Sequence, residues 1–421
     1  MEIGPFIKLH RIKQNMTQED LADGIVSESY LSKIENQKTT ASPDVINLLC
    51  SRLGIQLNKE DELNLNGQCQ EWFDMLFEVN SKEQITEKYE ELKVLVESHL
   101  SDMQVLFEIH KIRYFLILGQ KQNALQQINN LKDLSETFNS VQQYYWLKFN
   151  GNYNSVIGDQ HSALRFYQLA EEKYGHSDIS ESEFADLRYT MSVTHSKLRN
   201  TLEVIDYAKK ALEDFSKQYN FRRCAQCHLL LGISYRRIKI YDKAEKNYNL
   251  AQHLAKLNND QQTIAITHQN LGYLHSTKGE SEKAIFFFKK VVEDGHSDTV
   301  VLIKGMASIV KEYYNLQKYD EAMEMVNAGL HTLEQLEWIE NYQLYFYELK
   351  TYHAVLTHNK EKFESVVIKE FLPYLKKQKH YAELVSYATM AGKHYEDLLK
   401  YKSASEYYKL AISTYEELIK I

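Results

Sequence analysis

The sequence contains little of what shapes β structure or crosses a membrane. Its 421 residues include three prolines, 15 glycines and four cysteines. Few prolines and glycines leave little material for sheets and tight turns, so we predict an all-α chain. Four cysteines are too few for a disulfide framework of this size, which favours a reducing compartment. No apolar run approaches the ~20 residues that span a bilayer, so we expect no membrane segment and a cytoplasmic protein.

Residue types that carry catalysis or bind metals form no recognisable motif. Cys224 and Cys227 are spaced as CxxC, but no second pair of ligands lies nearby. We therefore interpret them as two helical cysteines rather than as a zinc site. The 16 histidines include no HExxH motif, and the chain has neither a nucleophile elbow nor a glycine-rich phosphate loop. The sequence predicts no metal, no cofactor and no enzyme activity.

The stretch MTQEDLADGIVSESYLSKIENQK, residues 16 to 38, has the pattern of two short helices joined by a tight turn. Thr17 is placed to cap the first helix, with Asp20 at the capping-box position, and Ser27 caps the second. Ser42 followed by Pro43 predicts the start of a further helix. The apolar side chains of these helices predict a small core of Leu21, Ala22, Tyr30, Leu31, Ile34, Leu48, Leu49, Leu53 and Ile55.

The segments TQxxLA, SxSYLSKIEN and LGI resemble the helix-turn-helix of the lambda-repressor, or Xre, class over residues 1 to about 58. In that family the third helix enters the major groove of DNA. The resemblance implies base contacts from this helix, phosphate contacts from Gln18 and Asn36, and a structural ion pair between Arg11 and Glu35. The DNA-binding residues carried over in this way are Gln18, Ser27, Glu28, Ser29, Ser32, Lys33 and Asn36.

Residues 1 to 58 are not basic overall, because six Lys or Arg stand against seven Asp or Glu. Phosphate contacts need local rather than net positive charge. Five cations lie around the presumed docking edge: Lys8, Arg11, Lys13, Lys33 and Lys38. The alternative interpretation is a helical cap that has lost DNA binding. Weak charge also implies that one copy binds poorly, so we expect a homodimer or higher homo-oligomer that reads two half-sites.

From about residue 67 the pattern changes to long helices that recur in pairs, with a period of about 40 residues. Gly232, Ala244 and Tyr248 have the spacing of a tetratricopeptide unit, and the same template fits from Gly151, Gly272 and Gly392. The unit near residue 342 is the poorest match. We predict a helix-turn-helix domain with its linker over 1–66 and a repeat domain over 67–421, coiled into a right-handed tetratricopeptide-type superhelix.

An Xre-type helix-turn-helix followed by long tetratricopeptide-like units resembles the Rap, NprR, PlcR and PrgX family of Gram-positive quorum-sensing receptors. The resemblance covers the whole chain and is greatest to NprR-type members. It implies a transcription regulator that binds double-stranded operator DNA and takes a short signalling peptide in the concave groove of its repeats. Asn270, in ITHQNLGYLH, matches the Asn of the family's YNLG helix, which contacts the peptide backbone.

Further peptide contacts are predicted from the inner-face positions of the first helix of each pair. These residues are Arg113, Lys148, Asn152, Tyr189, Gln226, Tyr273, Lys304 and Lys311. Four of them are cations in a chain of net charge −8, which favours a peptide with an acidic side chain or a free carboxylate. The alternative is an ordinary solvated groove.

The family resemblance leaves a second function open. Rap-type members bind a sporulation phosphorelay response regulator through their repeats and inhibit phosphotransfer, and NprR-type members are thought to combine both activities. The intact face from Ser27 to Lys33 favours DNA binding, because Rap proteins have replaced their DNA-reading helices.

Overall fold

The computed structural model describes residues 3–54, 59–78, 81–98, 103–175, 178–293, 299–336 and 342–420. All regular structure in these ranges is helical, which confirms the all-α prediction. None of the described helices is both long and apolar enough to cross a lipid bilayer. The chain divides into two compact units, residues 1–194 and 195–421.

Four helices form the N-terminal helix-turn-helix: α1 Ile3–Lys13, α2 Gln18–Ala22, α3 Glu28–Glu35 and α4 Pro43–Arg52. Their starts follow the predicted caps. Thr17 and Asp20 form a reciprocal capping box on α2, and the hydroxyl of Ser27 accepts a hydrogen bond from the backbone amide of Tyr30. Gly24 adopts φ +66° in the turn before α3, a left-handed conformation that glycine takes at little cost.

A small apolar core joins these four helices, and its buried members include Phe6, Ile7, Leu21, Leu31, Ile34, Leu49 and Leu53. The prediction that Leu48 belongs to this core is wrong. Its side chain is 54% exposed, because Leu49 and Cys50 occupy the inward face of α4. Tyr30 is only half-buried and packs at the edge of the core, and Ile55 lies outside the described residues.

The first unit continues with α5 Lys59–Glu78, α6 Lys82–Ser98, α7 Met103–Ile117, α8 Lys121–Lys132, α9 Ser140–Ile157 and α10 Gln160–Tyr174. The following helix, α11 Glu181–Lys197, contains the boundary between the two units. Residues 59–66, which the sequence assigns to a linker, lie in the first turns of α5. The domain boundary at residue 66 stays a prediction.

The second unit contains α12 Thr201–Lys217, α13 Phe221–Arg237, α14 Tyr241–Leu257, α15 Gln261–Thr277, α16 Ser281–Glu293, α17 Thr299–Asn315, α18 Tyr319–Glu334, α19 Gln343–Leu356, α20 Lys360–Phe363, α21 Leu372–Lys377, α22 Tyr381–Asp397 and α23 Tyr401–Lys420. Helix pairs recur about every 40 residues, as predicted. Between α20 and α21, residues Glu364–Phe371 form a π-helix. This irregular pair is the one that matches the repeat template least well.

In each repeat that matches the template well, a glycine of the first helix lies directly against an aromatic ring of the second helix. A β-carbon at Gly232 would lie 2.4 Å from the ring of Tyr248, and one at Gly272 would lie 2.3 Å from the ring of Phe288. The same contact recurs between Gly151 and Tyr167 and between Gly392 and Tyr408. The two helices of a pair therefore approach each other at a distance that only glycine allows.

Candidate functional site

The third helix, α3, presents a polar outer surface. Ser27, Glu28, Ser29 and Lys33 are exposed, and Ser32 is half-buried. The hydroxyl oxygens of Ser27 and Ser29 lie 3.4 Å apart at the start of the helix. One accessible helix thus brings together the predicted base-contacting residues.

Gln18 and Asn36, the predicted phosphate contacts, already have partners within the domain. Gln18 Nε2 donates to Glu35 Oε2 at 2.6 Å. Asn36 is the C-cap residue of α3, and its Nδ2 donates to the Ser32 carbonyl at 2.8 Å. Its Oδ1 accepts a longer bond of 3.4 Å from Lys8 Nζ. A phosphate contact from either carboxamide would have to share or replace these bonds.

The expected ion pair between Arg11 and Glu35 is present. Arg11 Nε lies 2.7 Å from Glu35 Oε1, and Arg11 Nη2 lies 2.9 Å from Glu35 Oε2, which is the bidentate geometry of a strong pair. Arg11 Nη1 also donates to the Met16 carbonyl at 2.9 Å. The Glu35 side chain is fully buried. The pair joins α1 to α3, so the charge of Arg11 is used inside the domain rather than at the DNA-docking edge.

The opposite side of α1 packs against the first repeats, a contact that sequence reasoning missed. Leu9 joins an apolar cluster formed with α7 and α8. The imidazole Nε2 of His10 forms a 2.8 Å hydrogen bond with the carboxamide of Gln104. Lys8 Nζ donates to the Asp133 carbonyl at 3.2 Å. Lys8 is therefore engaged with the repeats, and not only with the DNA-docking edge to which the sequence assigned it.

The second unit contains a cavity of about 780 Å³. Side chains of α13, α15, α17, α19 and α22 form its wall, together with Arg199 from the turn that follows α11. Three predicted peptide contacts line it: Tyr273, Lys304 and Lys311. The structure therefore brings these three residues together at one site.

The cavity is strongly cationic. Five cations line it: Arg199, Arg236, Arg237, Lys304 and Lys311. Within the described ranges, none of the five has a carboxylate at ion-pair distance. The lining includes two carboxylates, Glu348 and Glu383. The sequence identified only the two lysines, because the three arginines lie at helix ends and in a turn rather than at inner-face positions in the middle of a helix.

The pKa of one of the two carboxylates lies well above that of a free carboxyl group. Burial raises the pKa of Glu348 to about 7, with a further contribution from Glu383, while Lys311 and Lys304 oppose the shift. The Tyr387 hydroxyl donates to Glu348 Oε1 at 3.1 Å, which favours the charged form. Near neutral pH, protonation of Glu348 makes the cavity still more positive.

We predict that Glu348 makes the protein less stable as the pH rises from about 4.5 to about 7. Its pKa is 4.5 in the unfolded chain and about 7 in the folded one, so the unfolded chain releases the proton first over this window. Replacing Glu348 with Gln should remove this pH-dependent loss in the free energy of unfolding, which is about 1 to 3 kcal/mol. Urea unfolding at pH 5 and pH 7.5 measures it, with Glu361→Gln as an exposed control. An equal pH response in wild type and Glu348→Gln would contradict the prediction.

Two predicted peptide contacts of the second unit lie outside the residues that line the cavity. Asn270 is buried, and its Nδ2 donates to the Ile266 carbonyl one turn earlier at 2.8 Å. Gln226 Oε1 accepts a hydrogen bond of 3.2 Å from Arg223 Nη1. One of the donors of Asn270 is therefore used within its own helix, and both peptide assignments stay predictions.

Lys148, a predicted peptide contact in the first unit, is buried inside an ion-pair cluster. Its Nζ lies 2.8 Å from Asp186 Oδ2 and also pairs with Glu183. Burial alone would lower the pKa of Lys148, but the charges of Asp186 and Glu183 outweigh it and raise the pKa. The charge of Lys148 is thus compensated by two carboxylates in direct contact with it, whereas none of the five cations of the cavity has a carboxylate at ion-pair distance among the described residues.

Three further predicted contacts belong to the first unit. Asn152 is buried, and its Oδ1 accepts a hydrogen bond of 2.9 Å from the Tyr167 hydroxyl. Arg113 and Tyr189 are half-buried.

In the part of the chain that the structure describes, no group of three or more His, Cys, Asp and Glu side chains could hold a metal ion.

Comparison with known proteins identifies the family. Residues 7–59 match the Helix-turn-helix family and residues 265–293 match the Tetratricopeptide repeat family. The chain is 32% identical over 409 residues to the transcriptional activator NprA of Geobacillus stearothermophilus, covering 95% of this chain and 100% of NprA. The chain belongs to the NprA family. This confirms the resemblance to regulators of the NprR and Rap type.

Solved structures show the same fold as this NprA-family chain. The apo form of the quorum sensor NprR from B. thuringiensis aligns with a TM-score of 0.70 at 18% sequence identity, covering 83% of this chain and 98% of NprR. NprR in complex with its cognate peptide NprX aligns with a TM-score of 0.62 at 19% identity, covering 84% and 98%. Together with the matches to the Helix-turn-helix and Tetratricopeptide repeat families, these similarities confirm a helix-turn-helix followed by tetratricopeptide-like helical repeats.

Proposed function

We propose that this NprA-family protein is a transcription regulator controlled by a short signalling peptide. It binds double-stranded operator DNA through α3 and takes the peptide in the cavity of the second unit. The supporting observation is that one chain combines an exposed polar α3 surface with a cavity whose five cations have no carboxylate partner among the described residues. The protein acts by binding rather than by catalysis, and it needs no cofactor.

Two sets of contacts in the helix-turn-helix hold α3 in one orientation. The Thr17 capping box fixes the start of α2, and the buried pair of Arg11 and Glu35 fixes α3 against α1. Ser29 and Lys33 are four residues apart on α3, so their side chains lie on the same side of the helix. A lysine ammonium and a serine hydroxyl are both groups that hydrogen-bond base edges in the major groove.

We test the function by selecting binding sites from random duplex DNA with the full chain. Gel shifts on the selected sites then follow, with and without a pool of synthetic short peptides. A change of DNA affinity on peptide addition supports peptide control. A chain that selects no duplex sequence, either alone or with the peptide pool present, would refute the proposal that it regulates transcription by binding an operator.

The double variant Ser29→Ala with Lys33→Ala should lose specific operator binding. Each lost base contact costs ~1 to 3 kcal/mol, which lowers affinity about tenfold or more. Footprinting on the selected operator measures the loss, and Lys209→Ala on the exposed surface of α12 is the control. Peptide affinity should not change. If the double variant protects the same operator at an unchanged concentration, α3 does not read the bases.

We also propose that the protein works as a homodimer. The helix-turn-helix carries six cations against seven acidic residues, so one copy should bind DNA weakly and two copies should read two half-sites. Light scattering on the full chain at micromolar concentration is expected to give twice the monomer mass. A clean monomer, both free and bound to the selected operator, would contradict the dimer.

A further inference from the structure

Three arginines come together in the wall of the cavity. Arg236 and Arg237 end α13, and Arg199 follows α11 in a left-handed conformation with φ 62°. Arg237 Nη1 donates to the Ser196 carbonyl at 2.8 Å and lies 3.2 Å from Ser196 Oγ. These two contacts fix the position of the Arg237 guanidinium. Arg199 and Arg236 line the same part of the cavity wall.

The arginine cluster of Arg199, Arg236 and Arg237 is electrostatically unfavourable by itself. Burial, together with the charges of Arg199 and Arg236, lowers the pKa of Arg237 to about 10. Like charges in a partly desolvated site repel one another, and buried guanidinium groups need acceptors. Arg236 Nε is buried and has no hydrogen-bond partner among the described residues. A cluster built only for stability would include a carboxylate, as the one around Lys148 does.

We propose that Arg199, Arg236 and Arg237 bind a carboxylate of the signalling peptide, either an acidic side chain or the free C-terminus. This inference rests on the proposed function and adds the chemistry of the ligand. A guanidinium donates two parallel N–H groups to a carboxylate, whereas a lysine acts as a point charge. The arginine cluster therefore matches a planar carboxylate better than the two lysines of the cavity do.

The ring of Tyr273 lies near one arginine of the cluster and near one of the two lysines. The guanidinium carbon of Arg236 lies 5.8 Å from the centroid of the Tyr273 ring, and Lys304 Nζ lies 5.1 Å from the same centroid. The Tyr273 hydroxyl accepts a hydrogen bond from Ser308 Oγ at 3.3 Å, which holds the ring in place. A peptide bound beside Tyr273 can therefore contact both Arg236 and Lys304.

The test uses the full chain and a pool of random synthetic heptapeptides with free C-termini. Mass spectrometry identifies the peptides that the wild type retains. Each is then made as the parent, as the C-terminal amide, and with every Asp or Glu replaced by Asn or Gln. Calorimetry gives their affinities for wild type, Arg199→Gln, Arg236→Gln and the control Arg222→Gln. Arg222 is an exposed residue of α13 that does not line the cavity.

Neutralising the carboxylate that the arginine cluster binds should weaken binding to wild type about tenfold or more. In Arg199→Gln and Arg236→Gln the same neutralisation should have a clearly smaller effect than in wild type, because part of the contact is already lost. Arg222→Gln should behave as wild type. If the C-terminal amide shows this difference between wild type and the variants, the arginines bind the C-terminus. If the peptide with Asn or Gln shows it, they bind an acidic side chain.

Two results would overturn the inference, and they differ in what else they affect. If both neutralised forms bind wild type as tightly as the parent, or weaken equally in all variants, the arginines do not bind a peptide carboxylate while peptide binding itself stands. If wild type retains no peptide, the proposed function fails and the inference fails with it. Arg199 is exposed, so Arg199→Gln keeps the test usable should Arg236→Gln not fold.

Discussion

Replacing Lys148 with methionine should lower the free energy of unfolding by about 3 to 5 kcal/mol. The change leaves Glu183 and Asp186 in a buried site without their counter-charge. Thermal and urea unfolding of the full chain measure the loss. Lys210→Met is the matched control, because it breaks an exposed pair with Asp206 and should change stability by less than about 1 kcal/mol.

The Lys148→Met variant also separates a structural role from a role in peptide binding. Combining it with Glu183→Gln and Asp186→Asn should restore most of the stability, because neutral groups then replace the two carboxylates that have lost Lys148. If Lys148→Met instead melts like wild type but binds peptide more weakly, the structural interpretation is wrong and the sequence-based assignment to the peptide is correct.

Replacing Glu35 with alanine should destabilise the helix-turn-helix by about 3 to 5 kcal/mol and abolish operator binding. Glu35 is fully buried and accepts hydrogen bonds from Arg11 and from Gln18. Its loss leaves the Arg11 charge without a carboxylate and weakens the contact of α3 with α1. Hydrogen exchange of the amides in α1 to α4 measures the local stability, and gel shifts measure DNA binding.

Two control variants sharpen the Glu35 experiment. Glu35→Gln keeps the size of the side chain and an acceptor for Arg11, so it should lose less stability than Glu35→Ala. Glu19→Ala removes an exposed carboxylate of α2 and should leave exchange rates unchanged. Wild-type exchange protection of α3 in Glu35→Ala would show that the pair does not hold the helix.

The features predicted correctly from the sequence depend on residues that are close in the chain. The caps at Thr17 and Ser27 involve partners only three residues away, and the contact of Gly232 with Tyr248 lies within one helix pair. Local spacing is sufficient in these cases, because helix geometry decides which side chains meet. The fold and the position of α3 could therefore be predicted from the sequence.

Features that were missed depend on contacts between distant parts of the chain. Nothing near Lys148 in the sequence indicates that Glu183 and Asp186 of a later helix compensate its charge. Arg236 and Arg237 lie in the last turn of α13, where cations usually complement the helix dipole and are exposed to water. Their role in the cavity wall depends on which elements pack beside them, and that requires three-dimensional information.

Helix α1 packs on two sides, so the helix-turn-helix of α1 to α4 is not structurally independent of the first repeats. Phe6 and Ile7 belong to the core of the helix-turn-helix, while Leu9 is covered by the repeats and His10 is bonded to Gln104. A fragment that ends near residue 66 would expose this apolar surface to water. A chimaera that takes its helix-turn-helix from a relative therefore also needs the matching surface of α7. Substitutions on the facing surfaces of α1 and α7 are expected to co-vary among relatives.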